Sequence, residues 1–275
     1  MNILIAGGTG FIGKYLIESF LHDDHEVFAL TRSPSHQANH PHLHYITWLQ
    51  QNKTEIDLSE LPKIDCIINL AGDPINKGRW TKKKKERILT SRRTTTKELI
   101  NMIKKLKTKP KLFINASAIG VYGYSIEKQF TEESKPLGNS FPAKVCKQWE
   151  QDASQAMEEG IRTVIARIGI VLGNDGGALP RMALPYKFFI GGKVASGHQW
   201  ISWIHIKDVV KLFHFIILNE EISGPINFTA PNPVKMNTLG KEIGQVLKKP
   251  HWIPVPSFAL KMIFGEMSEF LIEGQ

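Results

Sequence analysis

A chain of 275 residues with 42% hydrophobic and 22% charged side chains can form one large core or a main domain with a smaller lobe. No apolar run approaches the ~18 residues of a membrane span, and the opening Met1-Asn2-Ile3-Leu4-Ile5-Ala6-Gly7 lacks a basic n-region and a long h-region, so a cytoplasmic protein without a membrane partner is expected. The 35 basic residues exceed the 26 acidic ones by +9, which favours anionic ligands. Much of that excess lies between Lys77 and Lys97, where Lys82-Lys83-Lys84-Lys85 fan around a helix instead of lining one stripe. Interleaved aromatics are lacking there, so nucleic acid is not an expected partner. The two cysteines, Cys66 and Cys146, show neither CxxC nor metal-type spacing; free thiols and no metal are expected.

In chain order, residues 2–6 form a short apolar run ended by Gly7-Gly8, and Phe11, Ile12, Leu16, Ile17, Phe20 and Leu21 follow at helical spacing. A strand at Glu26 to Thr31 completes a βαβ unit. The pattern predicts further strands at Leu43–Trp48, Asp65–Leu70, Lys111–Ala116 and Arg162–Ile168. Helices are predicted at about Thr81 to Lys105, Phe141–Met157 and His205 to Leu218. Alternation of strands and helices of this kind implies an α/β Rossmann fold, a doubly wound parallel sheet spanning 1–170, onto which helix 205–218 packs back. Beyond Ile168 the alternation loosens, with Gly and Pro clustered at Gly173–Pro180, Gly191-Gly192 and Pro225–Pro233. A smaller C-terminal substrate lobe is expected over 171–275, with helices at Asn237–Leu247, capped by Asn237, and Ser257–Leu271.

Gly7-Gly8-Thr9-Gly10-Phe11-Ile12-Gly13 places glycines at 7, 10 and 13 between a strand and an amphipathic helix. That context gives each glycine a role: a tight turn, close backbone approach to a diphosphate, and close helix–sheet packing, with free amides at the helix start facing the anion. The second strand ends in Thr31-Arg32-Ser33, without the acidic residue that would bind ribose hydroxyls. Arg32 suits a 2′-phosphate instead, so NADP(H) is preferred over NAD(H).

With Gly7–Gly13, Asn69-Leu70-Ala71-Gly72, Ser117–Gly123 and Arg167–Gly173, the chain resembles the extended short-chain dehydrogenase/reductase superfamily. More narrowly, Asn69–Ile75, Arg79-Trp80, Ser91-Arg92, Trp149-Glu150, Gly197–Trp200, Trp203–His205 and Phe264–Glu266 resemble its atypical epimerase-family branch. The resemblance implies that Leu70, Ala71 and Gly72 line the ribose near the nicotinamide with Ala116 and Ser117, and that Cys146 and Ile168 also border the cofactor. It implies that Trp48 flanks the adenine, although a core tryptophan competes with that reading. Relatives continue beyond the point matching Leu271–Gln275, which suggests a shortened small lobe. Superfamily members often pair through two helices, so a homodimer is the assembly the resemblance suggests.

Active members of the superfamily carry Tyr and Lys one turn apart on a helix, the ammonium lowering the phenol's pKa. Counted back from Glu150, these positions fall on Pro142 and Cys146, and the usual Ser or Thr position falls on Ala118. Tyr124 to Lys128 is chance spacing in a polar loop. The remaining proton-carrying candidates are Ser117, Tyr122, Glu132, Lys144, Cys146 and His205, of which Ser117 and Tyr122 are favoured as catalytic because they follow the carboxyl end of a parallel strand. A packed aromatic competes for Tyr122. The segment Gly191–Trp203, rich in glycine and tryptophan, resembles a substrate loop; Gln199 and Trp200, with Arg79 and Trp80 opposite, are the candidate contacts to a small-molecule substrate. Burial of the lobe junction by these tryptophans is the competing reading. The function expected is an NADP(H)-dependent oxidoreductase or epimerase-like enzyme; the alternative is a non-catalytic NADP(H) sensor or scaffold.

Overall fold

The computed structural model describes residues 1–33, 38–50, 58, 61–76 and 78–274. Its elements run β1 (Asn2–Ala6), α1 (Phe11–His22), β2 (Glu26–Thr31), β3 (Leu43–Thr47), β4 (Cys66–Asn69), α2 (Lys82–Lys105), β5 (Leu112–Ala118), α3 (Phe141–Glu158) and β6 (Arg162–Ile168). They continue with β7 (Ile170–Leu172), α4 (Leu179–Lys187), β8 (Trp200–Ile201), β9 (Trp203–His205), α5 (Ile206–Leu218), β10 (Gly224–Phe228), β11 (Val234–Lys235), α6 (Met236–Leu247), α7 (Ser257–Phe264) and α8 (Ser268–Ile272).

Seven strands form one sheet in the order β10-β6-β5-β4-β1-β2-β3, every pair parallel. This is the Rossmann architecture, and the strands read as near-continuous apolar runs because both faces are covered. Leu16, Ile17 and Phe20 of α1 join Val209, Phe213 and Ile216 of α5 on one side. Leu99, Ile100 and Ile103 of α2 join Ala153 and Ala156 of α3 in a second cluster. Helix starts follow local chemistry: the Thr81 and Ser140 hydroxyls accept from Lys84 N and Ala143 N, and His205 Nδ1 accepts from Lys207 N at 3.2 Å. Among the described residues no helix is long and apolar enough to cross a membrane.

Differences from the sequence reading lie after β6. Pro225 stands inside β10, a strand hidden in a stretch that reads as loop; proline is tolerated because β10 is the sheet's edge. Helix α4 was concealed by Pro180 and Pro185. Asn237 does not cap α6: it lies inside the helix, paired with His251 (Oδ1 to Nε2, 2.9 Å), while extended Lys235 precedes the first turn. The expected helix Ser257–Leu271 breaks at Gly265, whose φ of +59° interrupts the turn. The short pairs β7·β9 and β8·β11 and the packing of α4 against α6 around buried Tyr186 complete this half of the chain.

Candidate functional site

The glycine turn is pressed against the chain leaving β4. Gly7 has φ +84°, and a Cβ there would stand 2.9 Å from Ala71 N and Leu70 C. A Cβ on Gly13 would stand 2.5 Å from Gly7 O and 2.6 Å from Gly8 Cα, so α1 rides directly on the turn. Gly10 caps α1 in an extended conformation without a side-chain acceptor. The amides of Phe11, Ile12 and Gly13 therefore open the helix with no intrahelical acceptor, beside exposed Thr9. Such an end carries partial positive charge and suits a diphosphate. The Phe11 ring is enclosed by Gly173, Gly176 and Gly177, each of which would place a Cβ within 2.9 Å of it. Tyr15 ties the same loop to α1 by donating to Asp175 Oδ1 at 2.6 Å.

At the end of β2, Arg32 is exposed, and among the described residues its guanidinium has no ion pair or side-chain hydrogen bond. A groove of about 960 Å³ opens beside the turn, lined by Gly8, Thr9, Lys14, His40, Leu43 and Tyr45. Trp48 is only 3% exposed and packs with Leu30, Ile46 and Ile64, so its ring belongs to the core.

Under the other half of the turn, Asn69 Nδ2 donates to Thr96 Oγ1 at 2.9 Å and to Asn115 Oδ1 at 2.7 Å, and its Oδ1 accepts from Ala71 N at 3.2 Å. Trp149 Nε1 adds a bond to Thr96 Oγ1 at 3.0 Å. This buried network fixes the backbone of Leu70, Ala71 and Gly72 where Gly7 meets it. Ala116 and Ile168 are buried among the sheet side chains beneath.

Ser117, Tyr122, Glu150 and Arg167 come together in one cluster. Ser117 Oγ donates to Glu150 Oε1 at 2.6 Å. Arg167 grips the same carboxylate with Nε at 3.0 Å and Nη2 at 2.8 Å, and its Nη1 donates to the Tyr122 hydroxyl at 2.9 Å. Tyr122 donates onward to Asn227 Oδ1 at 2.8 Å and stacks on Phe130. Burial raises the Tyr122 phenol above its ordinary value, with the Arg167 contact working against the shift. Burial alone would lower the Arg167 guanidinium; Glu150 reverses this and holds it above the usual arginine range. The sequence reading passed over Glu150 and Arg167 as a pair, although an arginine within the apolar strand Thr163–Ile168 is itself a signal of buried pairing.

Cys146 is buried on α3 beside Ser117, and its thiol is pushed up to about 11, by burial first and then by the Glu150 charge. Cys66, buried in β4, is pushed up to about 12 by burial. Neither can be a nucleophile at neutral pH. In native protein at pH 8 both thiols should resist iodoacetamide, and both should react after denaturation; rapid native alkylation of Cys146 would contradict its placement. The sign for stability follows: with an ordinary value of 9.0 in the unfolded chain, the buried neutral thiols help most below pH 9 and that contribution fades as pH rises through about 11 and 12.

The residues expected at the substrate are engaged within the protein. Arg79 donates to the carbonyls of Met262 and Ile263, tying α7 to the β4–α2 connection. Trp80 is buried against Phe141 with its Nε1 on Ile75 O. Gln199, 1% exposed, donates to Val194 O and Leu271 O, and Trp200 Nε1 donates to Ile126 O. Glu132 Oε1 accepts from Asn227 N, Lys144 is exposed, and His205 caps α5.

A model of the NAD dependent epimerase/dehydratase family matches residues 3–228. The chain belongs to that family. It is 45% identical to epimerase family protein YfhF of Bacillus subtilis, covering 100% of this chain and 89% of the relative. To the epimerase family protein SSP1921 of Staphylococcus saprophyticus it is 42% identical, covering 100% and 90%. The crystal structure of human epimerase family protein SDR39U1 with NADPH superposes with a TM-score of 0.86 at 31% identity, covering 100% of this chain and 90% of that one. The chain is thus similar to the atypical extended short-chain dehydrogenases/reductases, and its family is an NAD(P)-binding one. UDP-glucuronic acid 4-epimerase of Bacillus cereus, at 18% identity and a TM-score of 0.75 over 93% and 85% of the two chains, shares the fold.

Proposed function

We propose that this family member binds NADP(H) in preference to NAD(H) and acts on a small molecule as an oxidoreductase or epimerase-like enzyme. The observation that carries the reading is the glycine turn: α1 opens without a side-chain cap behind exposed Thr9 and Gly10, at the carboxyl ends of β1 and β4, with exposed Arg32 beyond. Phe11, Ile12 and Gly13 would hold the diphosphate, Arg32 the 2′-phosphate, and Leu70, Ala71, Gly72 and Ser117 the nicotinamide half. NADPH in the human relative's structure supports the same choice.

When bound, the nicotinamide supplies or accepts a hydride. Ser117 is the residue to orient the substrate oxygen, its proton aimed at Glu150 until a ligand competes for it. Tyr122 acts through Arg167, which fixes Glu150. A small molecule held beneath the small lobe would lie near Trp80 and Trp200, while Arg79 and Gln199 keep that lobe in place.

Calorimetry with both cofactors tests the assignment. Wild-type protein should favour NADPH over NADH, and Arg32→Asp should weaken NADPH roughly 10- to 100-fold while leaving NADH little changed, because a charge-assisted fork on phosphate is lost. Unchanged preference removes Arg32 from the site. A second reading, a non-catalytic sensor or scaffold, is favoured by the engagement of both the Ser117 and Tyr122 hydroxyls with protein acceptors; it requires NADPH uptake without turnover on any carbonyl compound.

A further inference from the structure

Arg92, on α2, is used by none of the roles above. Its guanidinium lies between Gly72 and Trp149: a Cβ on Gly72 would stand 2.9 Å from Arg92 Cζ and 3.2 Å from Nε, and Cζ sits 5.0 Å from the centre of the Trp149 ring. Nη1 donates to Asp73 O and Ile88 O, both at 3.0 Å, which anchors one arm of the fork. Among the described residues, Nε and Nη2 have no hydrogen-bond partner and no carboxylate pairs with the group. The nearest candidate, Asp73, is bound instead by Lys84 and by Arg87 at 3.3 Å. Cys146 lies within electrostatic reach of Arg92 and touches the Ser117 hydroxyl.

A guanidinium has five N–H donors in a rigid plane; Nε and Nη2 are not fully buried, so they remain open to a ligand at the surface of the site. Burial presses this group below the ordinary arginine value, with Cys146 and Asp73 working against the shift. Lys84 and Arg87 already neutralise Asp73, so the Arg92 charge is not needed to pair that carboxylate. Gly72 matters as well: any side chain at 72 would displace the guanidinium from the end of β4.

We propose that Arg92 binds the nicotinamide-side ribose of the dinucleotide, its free Nε and Nη2 donors holding the vicinal hydroxyls beside Gly72. This rests on the dinucleotide-binding reading above. It makes the site a two-arginine clamp, with Arg32 on the adenosine phosphate and Arg92 on the far ribose, and the amides of α1 between them.

Two ligands separate the halves: NADPH, and adenosine 2′,5′-bisphosphate, which lacks the nicotinamide riboside. In calorimetric titrations Arg92→Gln should weaken NADPH roughly 10- to 100-fold, the loss of hydrogen bonds from a charged donor, and leave the bisphosphate within about 2-fold of wild type. Arg92→Lys, which keeps the charge with fewer directed donors, should lose less, and only for NADPH. Thermal unfolding without ligand monitors the fold; if Arg92→Gln proves unfolded, Arg92→Lys decides. Equal weakening of both ligands in a folded variant, or NADPH affinity unchanged, overturns the role of Arg92 and leaves the cofactor reading standing. Wild-type protein that takes up neither ligand overturns both.

Discussion

Gly13→Ala should abolish measurable NADPH uptake, a loss of at least about 100-fold, and lower the unfolding temperature by about 2–12 °C. The added methyl would meet Gly7 O at 2.5 Å and Gly8 Cα at 2.6 Å, backbone atoms on the turn itself, so no flexible side chain can move aside. Relief requires α1 to lift from the turn, which carries the amides of Phe11 and Ile12 away from the place a diphosphate would occupy. Overpacking of this kind costs about 1–3 kcal/mol, and each kcal/mol is worth about 2–4 °C in a protein of this size. Gly160→Ala is the control: Gly160 has φ +75° with nothing within 4 Å of a built Cβ. It should lose only the strain of a left-handed alanine, about 1–2 kcal/mol, and bind NADPH normally. Calorimetry and thermal unfolding on the two variants decide the matter; normal binding by Gly13→Ala would remove the turn from the cofactor site.

Arg167→Met should destabilise the fold by about 3–5 kcal/mol, because removing one partner of a buried pair strands the other. The Glu150 side chain is 14% exposed and the Arg167 side chain 6%. Left with Ser117 alone, the Glu150 carboxylate would keep its charge without its fork, and Tyr122 would lose the donor at its oxygen. Replacing both members, Arg167→Met with Glu150→Leu, should recover part of the stability, since a buried pair exchanged for apolar side chains of similar volume is often neutral. Chemical denaturation of the two single variants and the double variant gives the cycle. Additive losses would show that the two residues do not act as a unit.

The sheet up to β6 was legible because its signals are local. Each strand is a short apolar run, each helix has a cap or a periodic face, and the glycine turn falls between the two. The glycine assignments at 7 and 13 carry the same information as the close contacts, since only a missing Cβ permits them. Past β6, proline misled: Pro225 is compatible with an edge strand, and Pro180 and Pro185 with a short helix, so punctuation residues hid β10 and α4. At the site, residue types were visible but pairings were not. Nothing in the spacing of Ser117, Tyr122, Glu150, Arg167 and Asn227 reveals that β5, α3, β6 and β10 meet in one hydrogen-bonded cluster. Trp48 shows the same limit, as a tryptophan ending a strand can face a ligand or the interior, and here it faces the interior.

A growing chain that has just completed β6 still has a raw edge along Val164–Ile168, and the strand that covers it, Gly224–Phe228, arrives only after β7, α4 and α5. The segment between them is therefore an excursion anchored at both ends in the same sheet. Because α5 within it also packs on α1, only the stretch from β7 to β9 stands clear of the sheet, and that stretch has no free end.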